Sequence, residues 1–222
     1  MATQQDYDLD HVRLTDRPLI VCDIDEVVLE FISPFAAFLR SQNHELLPRS
    51  FHLHGNIVST LDGSFPEAAI VSAFLDAFFA AQDKWQMPAE QAVETLHRLA
   101  EDADIVFLTA MSPRHRLVRR NLLDRFDLHF PMVATEGPKG PVVTALHGAR
   151  PLPVAFIDDI ERNLLSVREH VPDCLLLTML ANADFRALAP EPCAGIRAVA
   201  GWAEAFGLLQ AHVCTDVRPQ TG

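Results

Sequence analysis

The chain has 222 residues, a formal net charge of −12, 49% hydrophobic residues and 22% charged residues. That size and balance exclude a disordered chain, a collagen and a disulfide-stapled miniprotein, and predict one large domain or a core domain carrying a modest insertion. So acidic a chain lacks the basic face that displaces counterions from nucleic acid or holds an anionic membrane surface, so neither partner is expected.

Residues 1–17 are polar and acidic, lack the basic-then-apolar pattern of a secretory signal, and read as a flexible N-terminal tail. The apolar run 18–22 is a buried-strand candidate. Ser33-Pro34 puts a capping hydroxyl before a proline at the first helical position. Residues 42–63 are irregular, and 65–81 form a helix whose Phe74, Phe78 and Phe79 have the spacing of a packed stripe. Pro88 opens a helix to 102, and 104–108 is the second strand. Ser112-Pro113 opens a helix carrying Arg114, His115, Arg116, Arg119 and Arg120. Only its first turn, Arg114 and His115, is expected to face the strand ends, with the rest a solvated face pairing with Asp124. Strands 131–134, 153–157 and 174–178 follow, separated by helices 139–147 (with Gly148 as a left-handed stop) and 160–170 (stopped by Pro172). A last helix spans 201–212, and 215–222 reads as a second flexible tail.

The strand candidates do not alternate polar with apolar, which fits strands covered on both faces. The β–α alternation predicts a doubly wound parallel α/β sheet with right-handed crossovers. About 80 residues, instead of one crossover helix, separate the first strand from Asp104. The expected organisation is a core of 18–32 and 88–214 with a small, mostly helical cap insertion at 33–87. Ligands of such sheets bind beyond the carboxyl ends of the strands, where the insertion sits. Cys22, Cys174, Cys193 and Cys214 include no C-x-x-C pair, and no segment reaches the ~20 apolar residues that cross a bilayer. A cytoplasmic protein with free thiols is expected.

The parallel strands should bring one set of polar groups to a common edge: Asp23 and Asp25 after the first strand, Thr109 after the second, Lys139 at a helix start, and Asp158-Asp159 after the fourth, with Asn163 beyond. Four carboxylates in one crevice need a cation or a raised pKa, and oxygen-rich sites with phosphate partners suit magnesium. A carboxylate can attack phosphorus, a second can protonate the leaving group and then activate water, and a hydroxyl and an ammonium can hold the phosphoryl oxygens.

On Val21-Cys-Asp23-Ile-Asp25-Glu-Val-Val28, Val106-Phe-Leu-Thr109, Lys139 and Phe156-Ile-Asp158-Asp159-Ile-Glu-Arg-Asn163, the chain resembles the haloacid dehalogenase superfamily of phosphotransferases. The resemblance implies Mg2+, with Asp23 as nucleophile and metal ligand and Asp25 as general acid/base with its carbonyl on the metal. It implies Thr109, with Ala110 beside it, on a phosphoryl oxygen, and Lys139 steadying nucleophile and phosphate. Asp159 aligns with the metal-binding acid, Asp158 is a supporting acid of the metal site in contact with Lys139, and Asn163 stands behind them. An acid at Asp25 disfavours carbon–halogen cleavage. Arg114 is a candidate contact for the small phosphorylated substrate. Glu26 stands where the superfamily often has Gly, and would add a carboxylate near the metal. The layout is loosely similar to 5'-deoxyribonucleotidases. The alternative is a non-hydrolytic phospho-acceptor or regulatory binding protein using the same pocket. His52 and His54, in Phe51-His-Leu-His54, would share one face of an extended segment, as zinc ligands can, or contact substrate from the cap, though an ordinary surface is expected.

Overall fold

The computed structural model describes residues 7–50, 53–148 and 150–215. In chain order the elements are β1 (Leu19–Cys22), α1 (Ile32–Ser41), β2 (His44–Leu46), β3 (Ile57–Ser59), α2 (Ala68–Ala80), α3 (Ala92–Leu99), β4 (Asp104–Thr109), α4 (Arg116–Arg125), β5 (Met132–Ala134), α5 (Lys139–His147), β6 (Val154–Asp158), α6 (Glu161–His170), β7 (Leu175–Met179), α7 (Ala183–Arg186), β8 (Ile196–Val199) and α8 (Trp202–Val213). Short 3-10 turns at Gln82–Lys84 and Pro113–His115 precede α3 and α4.

Six strands make one sheet in the order β5-β4-β1-β6-β7-β8, all paired in parallel, and β2-β3 form a separate antiparallel hairpin. Successive strand residues point to opposite faces. Ile20, Cys22, Ile105 and Phe107 therefore enter a core shared with α3, α4 and α8, while Leu19, Val21, Val106 and Leu108 enter one shared with α5 and α6. The fold is the doubly wound α/β sheet that continuous apolar strands demand. A third apolar cluster (Phe31, Phe35, Phe38, Leu46, Ile57, Val71 and Phe78) belongs to the segment between β1 and β4 and closes on Leu180 and Phe185 of the core. The Phe78 ring meets Phe31, Phe35 and Phe38 edge-on at centroid distances of 5.4–5.8 Å. No helix among the described residues is long and apolar enough to cross a membrane.

Several sequence expectations are corrected. Residues 7–17 are not a loose tail: Tyr7, Leu9, Val12 and Leu14 pack on the α5–α6 core, and the backbone N–H of Thr15 and the Arg17 guanidinium bind the Asp104 carboxylate at 2.6 and 3.0 Å. Of the C-terminal tail, only Thr215 is described. The helix expected from Pro88 begins at Ala92, because Pro88 and its neighbours run beside the chain after β1: the Glu30 N–H bonds the Met87 carbonyl and the Ala89 N–H bonds that of Val28, both at 2.9 Å. Helix α1 starts at Ile32, one residue before Ser33, and neither Ser33 nor Ser112 caps a helix with its side chain. Strand β8 and helix α7 add to the elements expected from the sequence, and the stretch expected to be irregular carries the β2–β3 hairpin.

Lys139 opens α5, and the next residue sets how closely α5 approaches α6. A Cβ at Gly140 would lie 2.3 Å from the Ser166 carbonyl oxygen and 2.6 Å from His170 Nδ1. Gly140→Ala is therefore expected to cost about 3 kcal/mol through overpacking, read as a lowered denaturation midpoint, because one neighbour is backbone and cannot rotate aside.

Candidate active site

The carboxyl ends of β1, β4 and β6, three adjacent strands, deliver Asp23, Thr109 and Asp158 to one edge. Strand β1 places Asp23 one residue past Cys22, with its N–H bonded to the Ile157 carbonyl at 2.8 Å. Helix α5 starts at the same edge and sends the Lys139 side chain, 1% exposed, between the carboxylates. Its Nζ donates to Asp23 Oδ1 and, at 2.6 Å, to Asp158 Oδ2. Burial works against the ammonium, but Asp158 and Asp23 outweigh it and push the Lys139 pKa up.

Asp158 spends both oxygens inside the protein. Oδ1 accepts the Ile160 N–H at 2.8 Å, and Asn163 Nδ2 reaches Oδ1 and Oδ2 at 3.0 and 3.1 Å. With Lys139 and Asn163 on it, Asp158 supports the ammonium, which is the contact expected of it as a supporting acid. Asp159 differs, accepting no hydrogen bond from a described residue, and burial with repulsion from Asp158 and Asp23 raises its pKa well above the ordinary carboxylate range. Burial also lifts Asp23 to about 7, with Lys139 opposing and Asp158 and Asp25 adding to the rise. Three carboxylates thus face one ammonium. Asp159 and the second oxygen of Asp23 have no donor among the described residues, and neither has the Asp25 carbonyl. That donor set is oxygen-only and under-neutralised, and it fits a hard divalent cation. It holds two carboxylates and a carbonyl; among the described residues there is no group of three or more His, Cys, Asp or Glu side chains placed around one metal position.

Thr109 ends β4, 1% exposed, and its Oγ1 accepts the Met111 N–H at 3.1 Å. The Ala110 N–H between them finds no acceptor among the described residues. Asp25 is gripped from two sides. Arg119 on α4 gives Nη2 to both its oxygens, at 2.9 and 3.2 Å, and Nη1 to Oδ2 at 3.2 Å, while Gln86 Nε2 reaches Oδ1 at 2.9 Å. Arg119 is 0% exposed, which corrects the expected solvated face. The segment between β1 and β4 covers α4, so a helix face read as open is buried. Arg120 does pair with Asp124, at 2.9 Å. Arg114, the candidate substrate contact, instead meets Asp76 of α2 at 2.5 Å, and His115 meets the same carboxylate at 2.6 Å. His54 is exposed in a turn rather than in an extended segment, and His52 lies outside the described residues.

Glu26 is the residue that sequence reasoning misplaced most. It has φ +63°, the left-handed region that suits the Gly often found there. Its carboxylate turns to the N-terminus of α1: Oε1 accepts the N–H groups of Phe31 and Ile32 at 2.8 and 2.6 Å, and Oε2 accepts Asn182 N–H at 2.7 Å. Burial raises its pKa and these three donors oppose the rise. Glu26 is a remote helix cap that ties α1 to the loop before α7, and it explains why α1 needs no local capping side chain. Glu26→Gly is expected to relieve backbone strain yet lower stability by about 2 kcal/mol net, because two buried N–H groups and the half-buried one of Asn182 lose their acceptor. Urea unfolding measures it; a stabilised variant would mean the cap is dispensable.

No protein-family model and no curated protein sequence matches the chain. Solved structures do resemble it. A haloacid dehalogenase family hydrolase from Deinococcus radiodurans, with bound phosphate and sodium, superposes with a TM-score of 0.58 at 15% identity, over 89% of this chain and 97% of its own. A haloacid dehalogenase-like family hydrolase from Streptococcus pneumoniae gives 0.56 at 14% identity, over 88% and 99%. The D,D-heptose 1,7-bisphosphate phosphatase from Burkholderia thailandensis gives 0.54 at 12%, over 88% and 99%. The chain has the fold of the haloacid dehalogenase-like hydrolases.

Proposed function

We propose that this chain is a magnesium-dependent hydrolase of phosphate monoesters that works through an aspartyl-phosphate on Asp23. The observation that carries the reading is the buried Lys139 ammonium bridging Asp23 and Asp158 across adjacent strands, with Thr109 ending the strand on the other side of β1 and Asp25 two residues after Asp23. The free oxygen of Asp23 attacks phosphorus, the ester P–O bond breaks, and Asp25 gives its proton to the departing oxygen. Water then attacks the phosphorus and passes a proton to Asp25, the bond from phosphorus to Asp23 breaks, and phosphate leaves. Thr109, the Ala110 N–H and Lys139 hold the phosphoryl oxygens, and Lys139 also opposes the protonation of Asp23 that burial favours. Asp23, Asp159 and the Asp25 carbonyl would hold Mg2+, which supplies the positive charge that lets an anionic phosphate approach a carboxylate. Residues 33–87 serve as a cap over these groups, and a small phosphorylated metabolite or nucleotide is the substrate. A regulatory phospho-acceptor loses its motive, since the Glu26 carboxylate is spent on α1.

The test is turnover of 4-nitrophenyl phosphate and of a panel of sugar phosphates, bisphosphates, phosphorylated acids and deoxynucleoside monophosphates, with and without magnesium. Metal-dependent phosphate release from at least one member is expected. None from any would overturn the reading.

A further inference from the structure

We propose that Arg119 is the positioning residue for Asp25, and that Gln82 and Gln86 make its hold depend on the seating of the cap. The proposal rests on the phosphatase reading above, in which Asp25 carries the proton. A guanidinium stays charged in any protein, so one that is fully buried needs a partner for each N–H it can place. Arg119 finds them from two bodies of the fold. From the core side it takes both oxygens of Asp25. From the cap side its Nε–H goes to Gln82 Oε1 and its Nη2 to Gln86 Oε1 at 3.2 Å, with the Phe79 ring centroid 5.7 Å from its central carbon.

The two glutamines are themselves buried, at 0% and 1% exposure, and their amides are oriented by further bonds. Gln82 Nε2 donates to the Phe79 carbonyl at 2.7 Å, and Gln86 Nε2 to the Glu30 carbonyl at 2.9 Å as well as to Asp25. Asp25 stands in the turn that leaves β1, with no other side chain on its carboxylate among the described residues. Its direction is therefore set by Arg119 and Gln86. A cap that lifts removes both amides and Phe79, and leaves Arg119 and Asp25 to each other and to water. The proton-carrying group then reaches its working direction only under a seated cap. Placement of this kind matters, because a misplacement on the order of 1 Å can cost ~100-fold.

The experiment compares wild type and Arg119→Gln, with magnesium, on two substrates. An alkyl phosphate releases an oxygen that needs a proton, whereas 2,4-dinitrophenyl phosphate releases one that does not. For the alkyl ester, kcat is expected to fall roughly 10- to 100-fold, with KM changed less than about threefold. For the dinitrophenyl ester the first turnover should stay fast and the second step should stall. The signs are a burst of dinitrophenolate and a phosphorylated enzyme that can be trapped by acid. Arg119→Lys should recover part of the alkyl-ester rate. If Arg119→Gln does not fold, Gln86→Met, which deletes one bond to Asp25 and keeps the ion pair, takes its place with a smaller effect of the same pattern.

An equal loss on both substrates without a burst, or a kcat within about twofold of wild type on the alkyl ester, would overturn the proposal. If wild type turns over neither substrate, the phosphatase reading has failed instead. The Asp25 carboxylate in a crystal structure of the folded variant then decides: a rotated side chain supports the positioning role, and an unmoved one overturns it.

Discussion

Asp23→Asn is expected to stop phosphate release, with kcat down at least ~10⁴-fold, while the protein melts at the same temperature as wild type or higher when magnesium is absent. An amide is a poor nucleophile toward phosphorus and cannot form the acyl-phosphate, so the loss falls on the first chemical step. Stability should not follow activity. Asp23, Asp158 and Asp159 crowd one buried ammonium, and removing one negative charge leaves the Lys139–Asp158 pair intact while easing repulsion with Asp159. Reacting groups commonly cost a fold stability in this way. Phosphate release and thermal melting on the same preparation separate the two effects. Residual turnover within tenfold of wild type would mean that another group attacks, and a melting temperature well below wild type would mean that Asp23 is structural.

The largest loss of stability is expected from Lys139→Met. The side chain lengths are similar, so no large cavity opens, but Asp23 and Asp158 lose the one cation they pair with among the described residues and stay buried. Breaking a buried pair by deleting one partner costs about 3–5 kcal/mol, which in a chain of this size lowers the melting temperature by roughly 10 °C. Activity should disappear with it. Lys139→Arg is the informative companion. Arginine keeps the charge but brings a planar fork into a slot where α5 touches α6 at Gly140. A fold close to wild type with kcat down about 10- to 100-fold is expected; full activity would show that any cation serves. The chain has sixteen arginines and two lysines, so a lysine in this slot is a choice the geometry explains.

Much of the architecture was legible because β1, β4, β6 and β7 are largely apolar runs covered on both faces. Strand β8 was not, for a physical reason: in Ile196–Val199 only the two end residues are buried, so the edge strand shows no run. The start of α1 was misread because its capping group, Glu26, lies five residues upstream in a turn rather than at the helix end. The polar residues on the strand ends were legible in order, since parallel strands share one edge. Arg119 was not, because helical periodicity says which residues share a face and nothing about what another segment lays over it. A signal did exist: Gln82 and Gln86 are spaced i, i+4, after an apolar helix, yet each is polar. Their burial follows from finding Arg119 opposite.

Strand β1 lies in the middle of the sheet, between two strands that come much later in the chain. As the polypeptide is made, β1 emerges before either of its sheet neighbours. The segment that follows can gather its phenylalanines first, since most of its apolar cluster is local. β1 gains one edge partner only with β4, and the other only with β6 and its Asp158. Pairings this distant in sequence are slow to close. A nascent chain that has not reached β6 holds Asp23, the proposed nucleophile, on a strand with one bare edge, and it lacks the carboxylate that shares Lys139. The buried surroundings of Asp23 are therefore complete only once β6 has arrived, more than a hundred residues after Asp23 itself.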